Sequence, residues 1–140
     1  MKRIFVSSVI RGFETFRAAA KAGVELMGHR AVLSEEFGAR AYSSRQACLT
    51  EVEQSDVFLI ILGAEFGVET EGGISVTQAE FRHACALGKP VLAFVQDVDV
   101  QGNQADFRRE VEDFDSGFFR ATFSTPEQLK DEVVRGLRQV

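Results

Sequence analysis

Apolar residues in this chain fall either into short unbroken runs or into stripes spaced three and four apart, and the two patterns alternate from end to end. Arg3 to Ser7, rich in β-formers, predicts a first strand. Phe13, Phe16, Ala20, Val24 and Met27 then share one stripe of a helix running from about Phe13 to Met27, which Gly28 ends. A short strand at Ala31 to Ser34 and a helix at about Ser44 to Gln54 follow. Strand three, Asp56 to Leu62, carries Val-Phe-Leu-Ile-Ile-Leu with no alternation, so both faces are buried, as in a parallel sheet covered by helices. A third helix from about Val76 to Leu87 leads through Gly88-Lys89-Pro90 into strand four, Val91 to Val95. Residues 103 to 114 read as a more charged helix, and Phe118 to Phe123 as a fifth strand at a sheet edge. Thr125 as N-cap, Pro126 at the first position and Gln128 at the third open a last helix, with Leu129, Val133 and Leu137 on its buried stripe.

Five such units predict an α/β fold: a doubly wound, mainly parallel five-stranded sheet in the flavodoxin-like order 2-1-3-4-5, with strand three central. At 140 residues, 45% of them hydrophobic, the chain suffices for one domain with a single core, residues 1–140. It stops soon after its last helix, so an N-terminal module of a longer protein is the expectation. Thirteen Phe with one Tyr and no Trp place most aromatics inside rather than on a base-stacking platform.

A net charge of -5 and a pI near 5.1 argue against a nucleic-acid partner. The apolar run before Arg11 is too short for an export signal, and the longest one, Val57 to Leu62, is far below a membrane span. A cytoplasmic protein with no membrane contact is expected. Cys48 and Cys85 fall in predicted helices without CxxC or metal spacing and read as reduced thiols. His29 and His83 lack nearby ligand spacing, so no metal is expected. GxGxxG and GxxxxGK[ST] are both missing, as are the paired acids of a phospho-acceptor domain and a serine hydrolase elbow.

What the βα loops bring to one edge is carboxylate and hydroxyl chemistry: Ser7, Ser8, Glu35, Glu36, Ser75 and Glu80. Glu80, placed in the first turn of helix three beside the glycine-rich stretch from Gly63 to Ser75, is the first candidate. A single carboxylate facing a ribosyl carbon assists cleavage of an N-glycosidic bond whose leaving group is already good, because its charge stabilises the oxocarbenium-like transition state. Nicotinamide leaving NAD is such a case, since the departing ring starts out cationic. The structural alternative is a capping box, which both Ser75 with Gln78 and Thr77 with Glu80 fit. Ser7 and Ser8 also read as a polar strand exit, and Glu35 and Glu36 as solvated acids. The glycine-rich loop exceeds the usual βα length, which favours a functional role.

IFVSS at the start, VLSEEFGA after strand two, C-x-x-x-V-x-x-SDVFLIILGAEFG across strand three, and SVTQAEFRHA with GKPVLAFV after it together resemble a family of TIR-like domains found at the N-terminus of signalling NTPases of the STAND type. The resemblance covers most of the first hundred residues. It implies a flavodoxin-like, TIR-like fold, distantly similar to nucleoside 2-deoxyribosyltransferases. It also implies a catalytic Glu on the helix after strand three, which Glu80 matches. Ser7 and Ser8 match the first-loop position lining the nucleotide pocket, Glu35 matches the acid after strand two, Phe66 would pack on a ring, and Ser75 stands at the same pocket. The leading expectation is therefore a nucleotide-binding domain in signalling or defence that hydrolyses the nicotinamide–ribose bond of NAD, with NAD or a related nucleotide as substrate rather than cofactor. Two alternatives stay open: a non-catalytic self-association module acting on a fused or partner NTPase, and transfer of a deoxyribosyl group between bases.

Overall fold

The computed structural model describes residues 1–38, 44–70, 72–114 and 119–140; Phe118, expected to open the last strand, lies outside the described residues. Five strands, β1 (Arg3–Ser7), β2 (Arg30–Val32), β3 (Val57–Leu62), β4 (Val91–Gln96) and β5 (Phe119–Phe123), alternate with five helices, α1 (Glu14–Leu26), α2 (Ser44–Gln54), α3 (Val76–Ala86), α4 (Gly102–Asp113) and α5 (Pro126–Leu137). The strands form one parallel sheet in the order β2-β1-β3-β4-β5, as the alternating pattern predicts. All six residues of β3 are buried at its centre.

Because successive side chains on a strand point to opposite faces, each strand feeds two cores. Ile4, Val6, Leu59, Ile61, Leu92 and Phe94 pack under α1 and α5, while Phe5, Phe58, Ile60, Ala93 and Val95 pack under α2, α3 and α4. Phenylalanine fills both layers: Phe81 of α3 meets Phe107 and Phe114 edge-on, with ring centroids 5.9 and 5.7 Å apart. The helices α1 and α5 approach so closely that a methyl group on Gly23 would lie 3.0 Å from Val133 Cγ1. At α5 the expected capping box is complete, with the Thr125 hydroxyl accepting from the Gln128 amide and the Gln128 side chain accepting from the Thr125 amide. The second strand ends earlier than expected, since Ser34–Glu36 turn into a single 3-10 turn that aims Glu35 back toward α1.

Candidate functional site

In an open parallel sheet the crevice lies beyond the carboxyl ends of the strands where their order reverses. Here that point falls between β1 and β3, and a cleft of about 910 Å³ occupies it. Its walls are residues 8–13 and Phe16 on one side, residues 64–68 on the other, with Val76 and Thr77 of α3 and Gln96 of β4 between them. The lining is largely apolar. Among the described residues Arg11 is its single cation, and Glu65 its single anion.

Two glycines shape it. A Cβ on Gly63 would come within 2.8 Å of Phe13 Cζ and 2.9 Å of Gln96 Oε1, so only glycine lets the chain leave β3 this close to both. The Gly63 carbonyl in turn accepts a buried hydrogen bond of 2.7 Å from Gln104 Nε2 of α4. Beyond it the long loop is more ordered than a plain connection. Thr70 N donates to Ile74 O at 2.7 Å, Val76 N donates to Val68 O at 2.9 Å, and Glu69 pairs with Ser75 as an antiparallel bridge.

Glu80 sits below this cleft rather than on its surface. It is the fifth residue of α3, in the second turn and not in the first, because the helix begins one residue after Ser75. Ser75 is the N-cap, its hydroxyl accepting from the Gln78 amide at 3.0 Å. Thr77 lies inside the helix, so the Thr77–Glu80 capping box does not form, and Gln78 spends its side chain on Glu110 at 2.9 Å. Glu80 is buried, 6% exposed, and its Oε1 accepts from the Ser7 hydroxyl at 2.7 Å. The Cys48 thiol of α2 faces the same carboxylate. Burial pushes the Glu80 carboxyl above its usual range, against the pull of the Ser7 and Cys48 hydrogen bonds and the charge of Arg17. Burial, with the Glu80 charge second, drives the Cys48 thiol up to about 12, which keeps it protonated and a donor.

The other expected residues divide. Ser8 and Phe66 line the cleft; Ser7, Glu35, Ser75 and Glu80 do not. Ser8 donates its hydroxyl to Val9 O at 2.6 Å and accepts from Arg17 Nη1 at 2.8 Å. Both oxygens of Glu35 go to Arg17: Oε2 accepts from Nε at 2.7 Å and Oε1 from Nη2 at 2.6 Å. Although its own partial burial works the other way, the Arg17 hydrogen bond and charge hold Glu35 below the usual carboxylate range. Arg17 is the residue that the sequence reading misses. The signal was present: Arg17 falls between Phe13, Ala20 and Val24 on the apolar stripe of α1, where a charge has to be paired. Among the described residues no group of three or more His, Cys, Asp or Glu is placed to hold a metal ion, and no helix is long and apolar enough to cross a membrane.

No curated protein matches the chain. Solved structures do. The CMP N-glycosidase BcmB of Clostridium botulinum superposes with a TM-score of 0.64 at 12% identity, over 94% of this chain and 97% of that one. A conserved protein from Enterococcus faecalis V583 gives 0.60 at 18% identity, covering 96% and 98%. The TIR domains of the activated Roq1 resistosome, an assembly directly recognizing the pathogen effector XopQ, give 0.60 at 12% identity, covering 99% and 84%. At such identities the likeness establishes the fold, one shared by a nucleotide N-glycosidase and by TIR domains. Residues 3–138 match the model of the domain of unknown function DUF4062, and the chain belongs to that family.

Proposed function

We propose that this domain binds a ribonucleotide, NAD or a close relative, in the β1/β3 cleft and hydrolyses its N-glycosidic bond. The observation that carries this reading is the buried Glu80 carboxylate, fixed by Ser7 at 2.7 Å at the carboxyl edge of the sheet, one helical turn from the cleft residue Thr77. A buried carboxylate that makes no ion pair among the described residues retains its attraction for a cation in front of it, because little water screens it. In the proposed step the C1′–N bond breaks, its electron pair returns to the nicotinamide ring, and the ribosyl cation forms in the cleft, with the Glu80 charge acting on it from beneath the floor. Water then adds at C1′ and loses a proton. Phe66 and Phe13 offer apolar walls for a ring, and Arg11 is the lining cation for a phosphate, the Ser7 and Ser8 hydroxyls being already engaged. The BcmB likeness supports an N-glycosidic reaction and makes CMP the second substrate to try. The test is incubation of concentrated protein with NAD or CMP, followed by quantification of released base. Absence of release from both overturns the reading.

A second reading has its own observation. Ile10 and Val68 on the cleft rim are exposed, at 39% and 76%, and Glu80 lies under the floor instead of on it. A non-catalytic module would use that rim to associate with another copy of itself, upstream of a fused or partner NTPase. Concentration-dependent assembly without base release would favour it.

A further inference from the structure

Arg17 is 2% exposed, the largest fully buried side chain among the described residues, yet nothing in the proposed reaction uses it. A guanidinium removed from water is retained only where its donors are all directed at acceptors. Two of its nitrogens grip Glu35 as a fork, at 2.7 and 2.6 Å. The remaining N–H groups face the exit of β1: Nη1 donates to Ser8 Oγ at 2.8 Å and approaches Ser8 O at 3.4 Å, and Nη2, shared with Glu35, approaches Val6 O at 3.4 Å. Arg17 thus holds the chain on both sides of Ser7, whose own hydroxyl points the other way, onto Glu80.

We propose that Arg17 is the positioning residue of this site: by clamping Val6 and Ser8 it fixes the intervening Ser7 so that its hydroxyl stays on Glu80. Glu35, at the far end of the fork, anchors the clamp. The role rests on the reading of Glu80 as the reacting carboxylate. A lysine in place of Arg17 would bring the charge but not a planar set of donors reaching Glu35, Ser8 and Val6 together. The groups facing Glu80 are the Ser7 hydroxyl from β1, the Cys48 thiol from α2 and the Arg17 charge from α1. Cys48 stays protonated across the accessible range, so Arg17 is the charge whose removal Glu80 feels.

The experiment is a carbon-13 NMR titration of the Glu80 carboxyl in the whole chain, with the Ser7 Cβ signal followed alongside. Loss of charge alone predicts that Arg17→Gln moves the Glu80 midpoint to higher pH and that Arg17→Lys, which keeps the charge, restores both the midpoint and the Ser7 Cβ signal. A clamp predicts rotamer averaging at Ser7 Cβ in both Arg17 variants, while Glu35→Gln, whose amide oxygen still accepts from Arg17, leaves that signal as in the wild type. An unchanged Ser7 signal in either Arg17 variant overturns the proposal. If Arg17→Gln does not fold, Arg17→Lys decides: rotamer averaging at Ser7 Cβ is expected, and an unchanged signal overturns the clamp. Where base release is measurable, Arg17→Lys lowers kcat about tenfold or more with KM nearly constant, as loss of orientation does. The titration needs no turnover, so a protein that releases no base overturns the proposed reaction while the clamp is still decided by NMR.

Discussion

The Ser7 hydroxyl meets the Glu80 carboxylate at 2.7 Å, and both groups are buried. The contact carries a pH dependence of known sign. Burial raises Glu80 above the ordinary 4.5, so its folded value exceeds its unfolded one. Stability from this group is fully present below the unfolded value and is lost as pH rises through the folded one. Glu80→Gln, neutral throughout, should therefore gain stability relative to the wild type as pH rises from the ordinary 4.5 toward the raised folded value. Ser7→Ala, which removes a hydrogen bond to the charged form, should cost more at the upper end of that range than at the lower. Urea unfolding at the two ends checks both, and a pH-independent difference for Glu80→Gln would refute the assignment.

In turnover the same substitution should act in the opposite sense. Loss of charge beside a developing ribosyl cation costs about a hundredfold or more in rate. Glu80→Gln is expected to abolish base release at full fold and with ligand binding retained, measured by nicotinamide release and a parallel NAD titration. Equal turnover in the variant removes Glu80 from the chemistry.

Gln104 is 4% exposed and satisfies the buried Gly63 carbonyl at the end of β3. Gln104→Leu leaves that carbonyl without its partner and should destabilise the domain by about 1–3 kcal/mol. A lower denaturation midpoint with an unchanged slope is the expected result.

Gly67 has φ +83°, and a Cβ there would lie 2.7 Å from Val9 Cγ1 across the cleft. Gly67→Ala should cost about 1–2 kcal/mol for the left-handed backbone alone. It should also displace Val9 and weaken nucleotide binding. Calorimetric melting and a titration with NAD separate the two effects.

The fold was legible because its signals are long and redundant. The unbroken apolar run of β3, the stripe of α1 and the capping residues of α5 each imply the element that forms. The site was legible in part. Glu80 stood out and α3 starts at Val76 as expected, but two overlapping capping patterns left the N-cap open, and Ser75 prevails over Thr77 because its extended backbone, φ -76° and ψ 161°, lies outside the helix. The loop after β3 read as glycine-rich and long, and nothing local announces the Thr70–Ile74 pairing. Glu35 was visible as an acid after β2, yet its partner lies on α1, seen only once both elements are packed.

The strand order also has a consequence for how the chain acquires its site. β1 is made first, but both of its neighbours in the sheet, β2 and β3, come later, and Ser7 waits for a carboxylate 73 residues downstream. A nascent chain ending before α3 holds Arg17, Ser7 and Ser8 but has nothing for the serine to face. Closing a loop of that span is slow relative to local structure, and its contacts arrive together with the central sheet. The carboxylate and its hydroxyl partner therefore come together late in folding and separate when the sheet opens, which ties thermal loss of the site to global rather than local unfolding.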